Sequence, residues 1–287
     1  MNHKCKHIVN NKIFKPVISY DNVYFKKIKK VIHSSKFRRT EKLSWIEGEK
    51  LCLDYLKVAK NFKEILLVVD EKISKNYLCK IINQNNLQEI NFICLSSNLY
   101  SQICQTSNSS KWGFIVCHPK QISKFQDHGD KIVVDGIQDP GNLGNILRSA
   151  AGFGIKDFYI TKNTVDIFSP KVIRAGCGAQ FIINYKFIDN LEEFFLSVNF
   201  DNNQILATYI KSKSENLFNL DLNEYKFYVW IFGSEGKGLT SSVIKKFKPR
   251  LVRISHCEKI NSLNVASAVS ICLFEMVRQR NLKKRNL

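Results

Sequence analysis

Short runs of consecutive apolar residues alternate along this chain with longer stretches in which apolar residues recur every three or four positions. The runs predict buried strands at 65–69, 89–95 and 113–117, and again at 131–135, 157–161, 181–185, 204–209, 226–232 and 250–254. The periodic stretches predict helices at 51–58, 77–82, 143–153, 170–177, 191–200, 240–247 and 262–280. A basic helix is predicted from position 17 onward, with Val23, Phe25, Ile28, Val31 and Ile32 as its apolar stripe. Strands alternating with helices give an α/β chain, with a parallel sheet in its second half. The polar stretch 119–130 carries Pro and Gly and reads as a linker. It separates an α/β domain at 17–118 from a larger one at 131–287, and residues 1–16 read as a basic tail.

Charge adds a partner class. The 287 residues carry a formal net charge of +19. Residues 1–60 hold fifteen Lys or Arg against five Asp or Glu, so about half of the surplus lies in a fifth of the chain. Such a surplus calls for a polyanion, which RNA, DNA and an anionic membrane surface all satisfy. A Lys-, Asn- and Ile-rich composition accounts for part of it. Lys26, Lys27, Lys29 and Lys30, continued by Lys36, Arg38 and Arg39, favour a nucleic-acid face. No apolar run is long enough to span a bilayer. The nine cysteines form no C-x-x-C, and no His pair stands at ligand spacing, so core thiols in a reducing compartment and no metal site are expected.

Three loops stand out, each directly after a predicted parallel strand. The first runs D-G-I-Q-D-P-G-N from Asp135 to Asn142 and opens a helix that carries Arg148, with Asn142 at the expected N-cap. The second, Gly233 to Leu239, has three glycines in six residues, which suits close backbone approach to a ligand. It matches neither the Walker A nor the dinucleotide pattern, and Glu235 would repel a phosphate. The third, 255–262, leads into S-L-N-V at Ser262 to Val265, where Asn264 reads as a poor helix former in a first turn. Each loop alone is explained by turn chemistry. Their shared placement at strand C-terminal ends favours one ligand site.

Together the motifs resemble those of the SpoU/TrmH branch of the SPOUT RNA methyltransferases. The resemblance rests on Asn142-x-Gly144-x-x-x-Arg148, on Gly233-Ser-Glu-Gly236 and on Ser262-Leu-Asn-Val265, in matching order over residues 131–280. The segment Ser169-Pro-Lys-Val-Ile-Arg174-Ala is also similar to a family pattern. Ile18-Ser19, Asn22 and Glu47-Gly48-Glu49-Lys50-Leu51 are similar, more weakly, to an L30e-like substrate-binding domain. The third loop departs from the family pattern, reading Ile254-Ser255-His256-Cys257-Glu258 where Ile-Pro and a later Gly are usual, and Gly176 replaces a usual Ser.

The resemblance implies a trefoil-knotted parallel-sheet domain behind a smaller L30e-like domain, and a homodimer. It implies S-adenosylmethionine held near Phe232, Gly233, Ile254, Ser262 and Leu263. It implies transfer of methyl to a ribose 2′-hydroxyl with Arg148, Asn142, Glu235 and Asn264 at the site. Lys237 and the basic face of Lys26, Lys27, Lys36, Arg38 and Arg39 would contact RNA. Ribosomal RNA is favoured over transfer RNA, and a non-catalytic RNA-binding or ribosome-assembly protein of the same fold is the rival. The cytoplasm is the expected compartment, or the mitochondrial matrix for a eukaryotic source.

Overall fold

The computed structural model describes residues 15–59, 64–85, 87, 90–105, 111–121, 125, 128–210, 214–234, 238–257 and 259–285. The chain divides into two units. One comprises Met1–Pro119 with Phe168–Arg174, the other Lys120–Ile167 with Ala175–Leu287. The short segment 168–174 groups with the first unit, although its place in the sequence, beyond the expected linker, assigned it to the second.

The first unit holds a four-stranded sheet of β1 (Leu43–Glu47), β2 (Leu66–Asp70), β3 (Asn91–Leu95) and β4 (Trp112–Cys117), in the order β1-β4-β2-β3. β2 and β3 are parallel and the other pairs antiparallel. β1 escaped the pattern reading because its buried residues include Ser44 and Glu47. The Glu47 carboxylate is kept inside by three donors: Trp45 Nε1 at 3.3 Å, Cys104 Sγ at 3.0 Å and the Gln105 amide at 2.8 Å. The helices Ser35–Glu41 and Ser97–Ile103 also went unforeseen. Each is too short for a readable period and begins at a serine cap, Ser34 or Ser96.

The basic helix spans Val23–His33, capped by Asn22 rather than starting at position 17. Phe25, Ile28, Val31 and Ile32 are buried as expected, whereas Val23 is 76% exposed. Lys26, Lys27, Lys36 and Arg39 are exposed. Arg38 is not, which corrects its assignment to the RNA face. It is 5% exposed, and its guanidinium donates to the Val31 and Ile32 carbonyls, both at 2.9 Å. Those carbonyls are left over at the helix C-terminus, and a cation meets them favourably.

The second unit holds a seven-stranded sheet of β5 (Lys131–Val134), β6 (Asp157–Thr161), β7 (Asn184–Ile188), β8 (Ile205–Thr208), β9 (Glu215–Asn216), β10 (Val229–Phe232) and β11 (Arg250–Arg253). Its order is β7-β6-β5-β10-β8-β11-β9, and every pair is parallel. β7 begins later than the expected 181, because Gly178 at φ 78° starts a 3₁₀ turn over Ala179–Phe181. One core cluster joins Val133, Tyr159, Ile205, Ala207, Val229 and Ile231 from the strands to Leu191 and Phe194 of the Leu191–Ser197 helix. Because all strands run the same way, the loops after β5, β6, β10 and β11 open along a single edge of the sheet.

Candidate functional site

β5 leaves the sheet at Asp135, whose amide donates to the Phe232 carbonyl at 2.9 Å. Gly136 follows at φ 70°, and a Cβ there would stand 2.9 Å from Asn163 Nδ2 and 3.5 Å from Ser234 Cβ. Its amide meets the Thr161 and Thr164 hydroxyls, each at 3.1 Å. The loops after β5, β6 and β10 therefore converge on Gly136, whose positive φ favours glycine. The Asp135 carboxyl, beside these groups, is raised above its ordinary value. Burial is the larger cause, opposed by hydrogen bonds from Thr161 and Asn163.

The following helix spans Pro140–Gly152 and starts earlier than the expected 143. Its N-cap is Asp139, whose carboxylate accepts from the Asn142 amide at 2.7 Å, with Pro140 at the first helical position. A Cβ at Gly141 would lie 2.9 Å from that carboxylate. Asn142 is consequently inside the first turn and not the cap. Leu143, Gly144, Ile146, Leu147 and Ala150 face the core, and Arg148 projects outward, exposed. Among the described residues, no hydrogen bond or ion pair engages its guanidinium.

The last helix, Val265–Arg285, packs beside Pro140–Gly152. Asn264 is its cap rather than a poor first-turn residue. The Asn264 side-chain oxygen accepts from the Ala266 amide at 2.9 Å and the Ser267 amide at 3.3 Å. With that oxygen committed, its Nδ2 faces away and donates to Asn142 Oδ1 at 2.8 Å. Further along, the Ser149 and Ser270 hydroxyls meet at 2.9 Å. Both ties link the two helices with their N-termini side by side, so two positive helix-dipole ends meet at the same place.

The second loop turns back on itself. Gly233 is buried, and a Cβ there would come within 2.6 Å of the Gly238 backbone and 2.8 Å of the Leu239 amide. The Gly238 amide closes the neck on the Ser234 carbonyl at 2.9 Å. The absent side chain at Gly233 makes room for the returning chain. Glu235 and Lys237 lie outside the described residues. Phe232 is corrected as a cofactor contact. Its ring is 0% exposed and stacked on Trp230 at 6.0 Å, leaving no surface for a ligand.

In the third loop Ile254 and Leu263 are partly exposed, and Ser262 is exposed. Ser255, just past β11, accepts from the Asn216 amide group at 2.8 Å, and His256 Nδ1 meets the Ile254 carbonyl at 2.8 Å. Two half-open apolar side chains among backbone-rich loops suit a small ligand that pairs an aromatic ring with polar ends. The described residues contain no cluster of His, Cys, Asp or Glu that could hold a metal ion. No described helix is long and apolar enough to cross a membrane. Sequence reasoning missed Asp139, Thr161, Asn163, Thr164 and Asn216. T-K-N-T begins on the last residue of β6 and runs into the loop after it, the same cue that singled out the other loops.

Comparison with known proteins agrees with this geometry. The family described as SpoU rRNA Methylase matches residues 131–274. A 23S rRNA (guanosine(2553)-2′-O)-methyltransferase of Bacillus subtilis, RlmP, is 25% identical over 249 residues, covering 86% of this chain and 93% of that protein. An uncharacterized tRNA/rRNA methyltransferase of Synechocystis is 34% identical over 149 residues, and the matched stretch spans about half of that relative, 53%. The crystal structure of an AdoMet-bound rRNA methyltransferase from Sinorhizobium meliloti superposes with a TM-score of 0.76 at 26% identity, covering 92% of this chain and 97% of that one. With parallel strands feeding three motif loops and a family match over half of its length, this chain belongs to the SpoU rRNA methylase family.

Proposed function

We propose that the protein methylates a ribose 2′-hydroxyl of RNA, in ribosomal RNA, with S-adenosylmethionine as methyl donor. The observation that carries the reading is the Asn264–Asn142 hydrogen bond at 2.8 Å, which joins two motif loops at the head of the helix that bears the exposed Arg148. The cofactor supplies a methyl group made electrophilic by its sulfonium. Ile254 and Leu263 would hold its apolar part, beside the backbone around Gly233 and Ser262.

The remaining work falls to this chain's side chains. Arg148 has a guanidinium that stays protonated, so it does not serve as a simple base. It grips the phosphate next to the target ribose bidentately and stabilises the alkoxide as charge develops on the 2′-oxygen. The 2′-hydroxyl proton leaves to that phosphate or to water. Asn142, fixed by Asn264, orients the ribose so that its oxygen stands in line for transfer. The paired helix N-termini add positive potential where the RNA backbone arrives. Glu235 holds this arrangement or favours the sulfonium charge. Lys26, Lys27, Lys36, Arg39 and Lys237 add phosphate contacts that do not depend on sequence.

We infer a homodimer as the working form. On the Val265–Arg285 helix, Ile271, Phe274 and Leu282 are 39%, 56% and 45% exposed and share one face with Arg278. A second copy would cover them.

The test is transfer of labelled methyl from S-adenosylmethionine to unmodified total RNA, followed by size separation, with Arg148→Ala as control. Label in one ribosomal RNA band, lost in the variant, is the expected result. No label from a protein that still binds RNA would replace this reading with that of an RNA-binding assembly factor.

A further inference from the structure

Tyr20 sits just ahead of the basic helix, in the first unit. Its ring is 48% exposed, yet it is held at several points. The phenol oxygen accepts from Asn98 Nδ2 and from Gln102 Nε2, both at 2.9 Å. The ring meets Phe25 edge-on, with centroids 6.0 Å apart and planes at 80°. Its backbone lies in a turn closed by the Asn22 amide on the Ser19 carbonyl at 3.2 Å. Tyrosines in water are ordinarily left free to rotate. This one is anchored at both ends with part of its surface open.

Lysines of the adjoining helix lie nearby, with Asp21 paired to one of them. Lys29 Nζ donates to Gln102 Oε1 at 3.3 Å, so one hydrogen-bonded chain runs from that lysine through Gln102 to the phenol. Lys26 is close by through its ion pair with Asp21 at 2.7 Å, and Lys27 and Lys30 continue the exposed face. A preset aromatic surface beside lysines suits a nucleic acid strand whose bases are not stacked on one another. A base lies on the ring while the phosphates meet the lysines. A regular duplex offers phosphates but keeps its bases inside, so it cannot use the ring.

We propose that Tyr20 is a stacking platform for an unpaired nucleotide of the RNA substrate, and that the first unit thereby selects single-stranded or looped RNA over duplex. This rests on reading the chain as an enzyme that acts on RNA. Because the ring is fixed before binding, little rotamer freedom is lost when a base arrives.

The experiment uses the full chain, a short oligouridylate with one central 2-aminopurine, an RNA duplex of equal length, and heparin as a base-free polyanion. Tyr20→Leu should weaken oligouridylate binding by about 5- to 150-fold, the range for losing one base–aromatic stack. It should also abolish the quenching of 2-aminopurine, and leave heparin affinity and the salt slope unchanged. Tyr20→Phe keeps the ring but not its anchor, and should fall between wild type and Tyr20→Leu. Lys27→Ala should instead lower the salt slope by about 0.7. Thermal midpoints check that the variants are folded. Equal oligouridylate binding by wild type and Tyr20→Leu, or duplex bound as tightly as single strand, overturns the platform alone. Wild type that binds neither RNA overturns the RNA reading and the platform with it.

Discussion

Asn264 performs two tasks that substitution can separate. Its side-chain oxygen caps the 21-residue helix, and its nitrogen holds Asn142. Asn264→Ala removes both. Loss of the cap costs about 1 kcal/mol. Loss of the exposed inter-loop hydrogen bond costs about 0.5–1 kcal/mol more. At roughly 2–4 °C per kcal/mol for a domain of this size, the thermal midpoint should drop by about 3–8 °C. Asn264→Asp keeps an acceptor for the Ala266 and Ser267 amides and adds negative charge at a helix N-terminus, worth about 0.3–1 kcal/mol. That offsets the lost donor, so its midpoint should stay near wild type. Its carboxylate cannot donate to Asn142, however, and Asn142 must turn its amide end for end, reversing the group it presents to the ribose. Methyl transfer should therefore fall by about tenfold or more, one hydrogen bond's worth of ~1.4 kcal/mol. Calorimetric melting and single-turnover methyl transfer on the same preparations read the two effects. An Asp variant with full transfer rate, or an Ala variant as stable as the Asp one, would refute the division of labour.

Other outcomes follow from the same contacts. Arg148→Ala should abolish transfer while S-adenosylmethionine binding, measured by titration calorimetry, stays within about twofold; Arg148→Lys should not rescue it, because an ammonium lacks the bidentate fork. Arg38→Ala should cost about 1–3 kcal/mol in denaturant melts by orphaning the Val31 and Ile32 carbonyls, with RNA affinity changed no more than the loss of fold predicts. Asp135 has a folded pKa raised above 3.8, chiefly by burial, so the native state binds the proton more tightly than the unfolded chain. Its stabilising contribution is present below 3.8 and is lost as pH rises through the raised value. Melting curves across that range should show this loss in wild type and not in Asp135→Asn. Truncating the apolar stripe with Phe274→Ala and Ile271→Ala should shift sedimentation toward monomer if a second copy covers it.

The sequence by itself located six of the seven strands of the second unit, because buried parallel strands are nearly continuous apolar runs; the two-residue β9 carries no such run, and the run read at 181–185 only leads into β7 at Asn184–Ile188. It also located the three motif loops, since Pro, Gly and Asn after a strand carry their meaning locally. It did not determine the roles of the residues within those loops. Whether Asn142 or Asp139 caps a helix depends on where the first turn begins, and the room that Gly233 leaves for Gly238 depends on the path of the returning chain. Arg38 looks like its solvated neighbours until the next helix folds its guanidinium onto the carbonyls at the end of the first. The Tyr20 anchor joins residues about eighty positions apart, and the Asn142–Asn264 bond joins residues 122 apart. Local pattern fixes which segments form, because backbone propensity and burial periodicity act over a few residues. Which polar groups meet is decided by strand order and helix packing, and only the tertiary structure sets those.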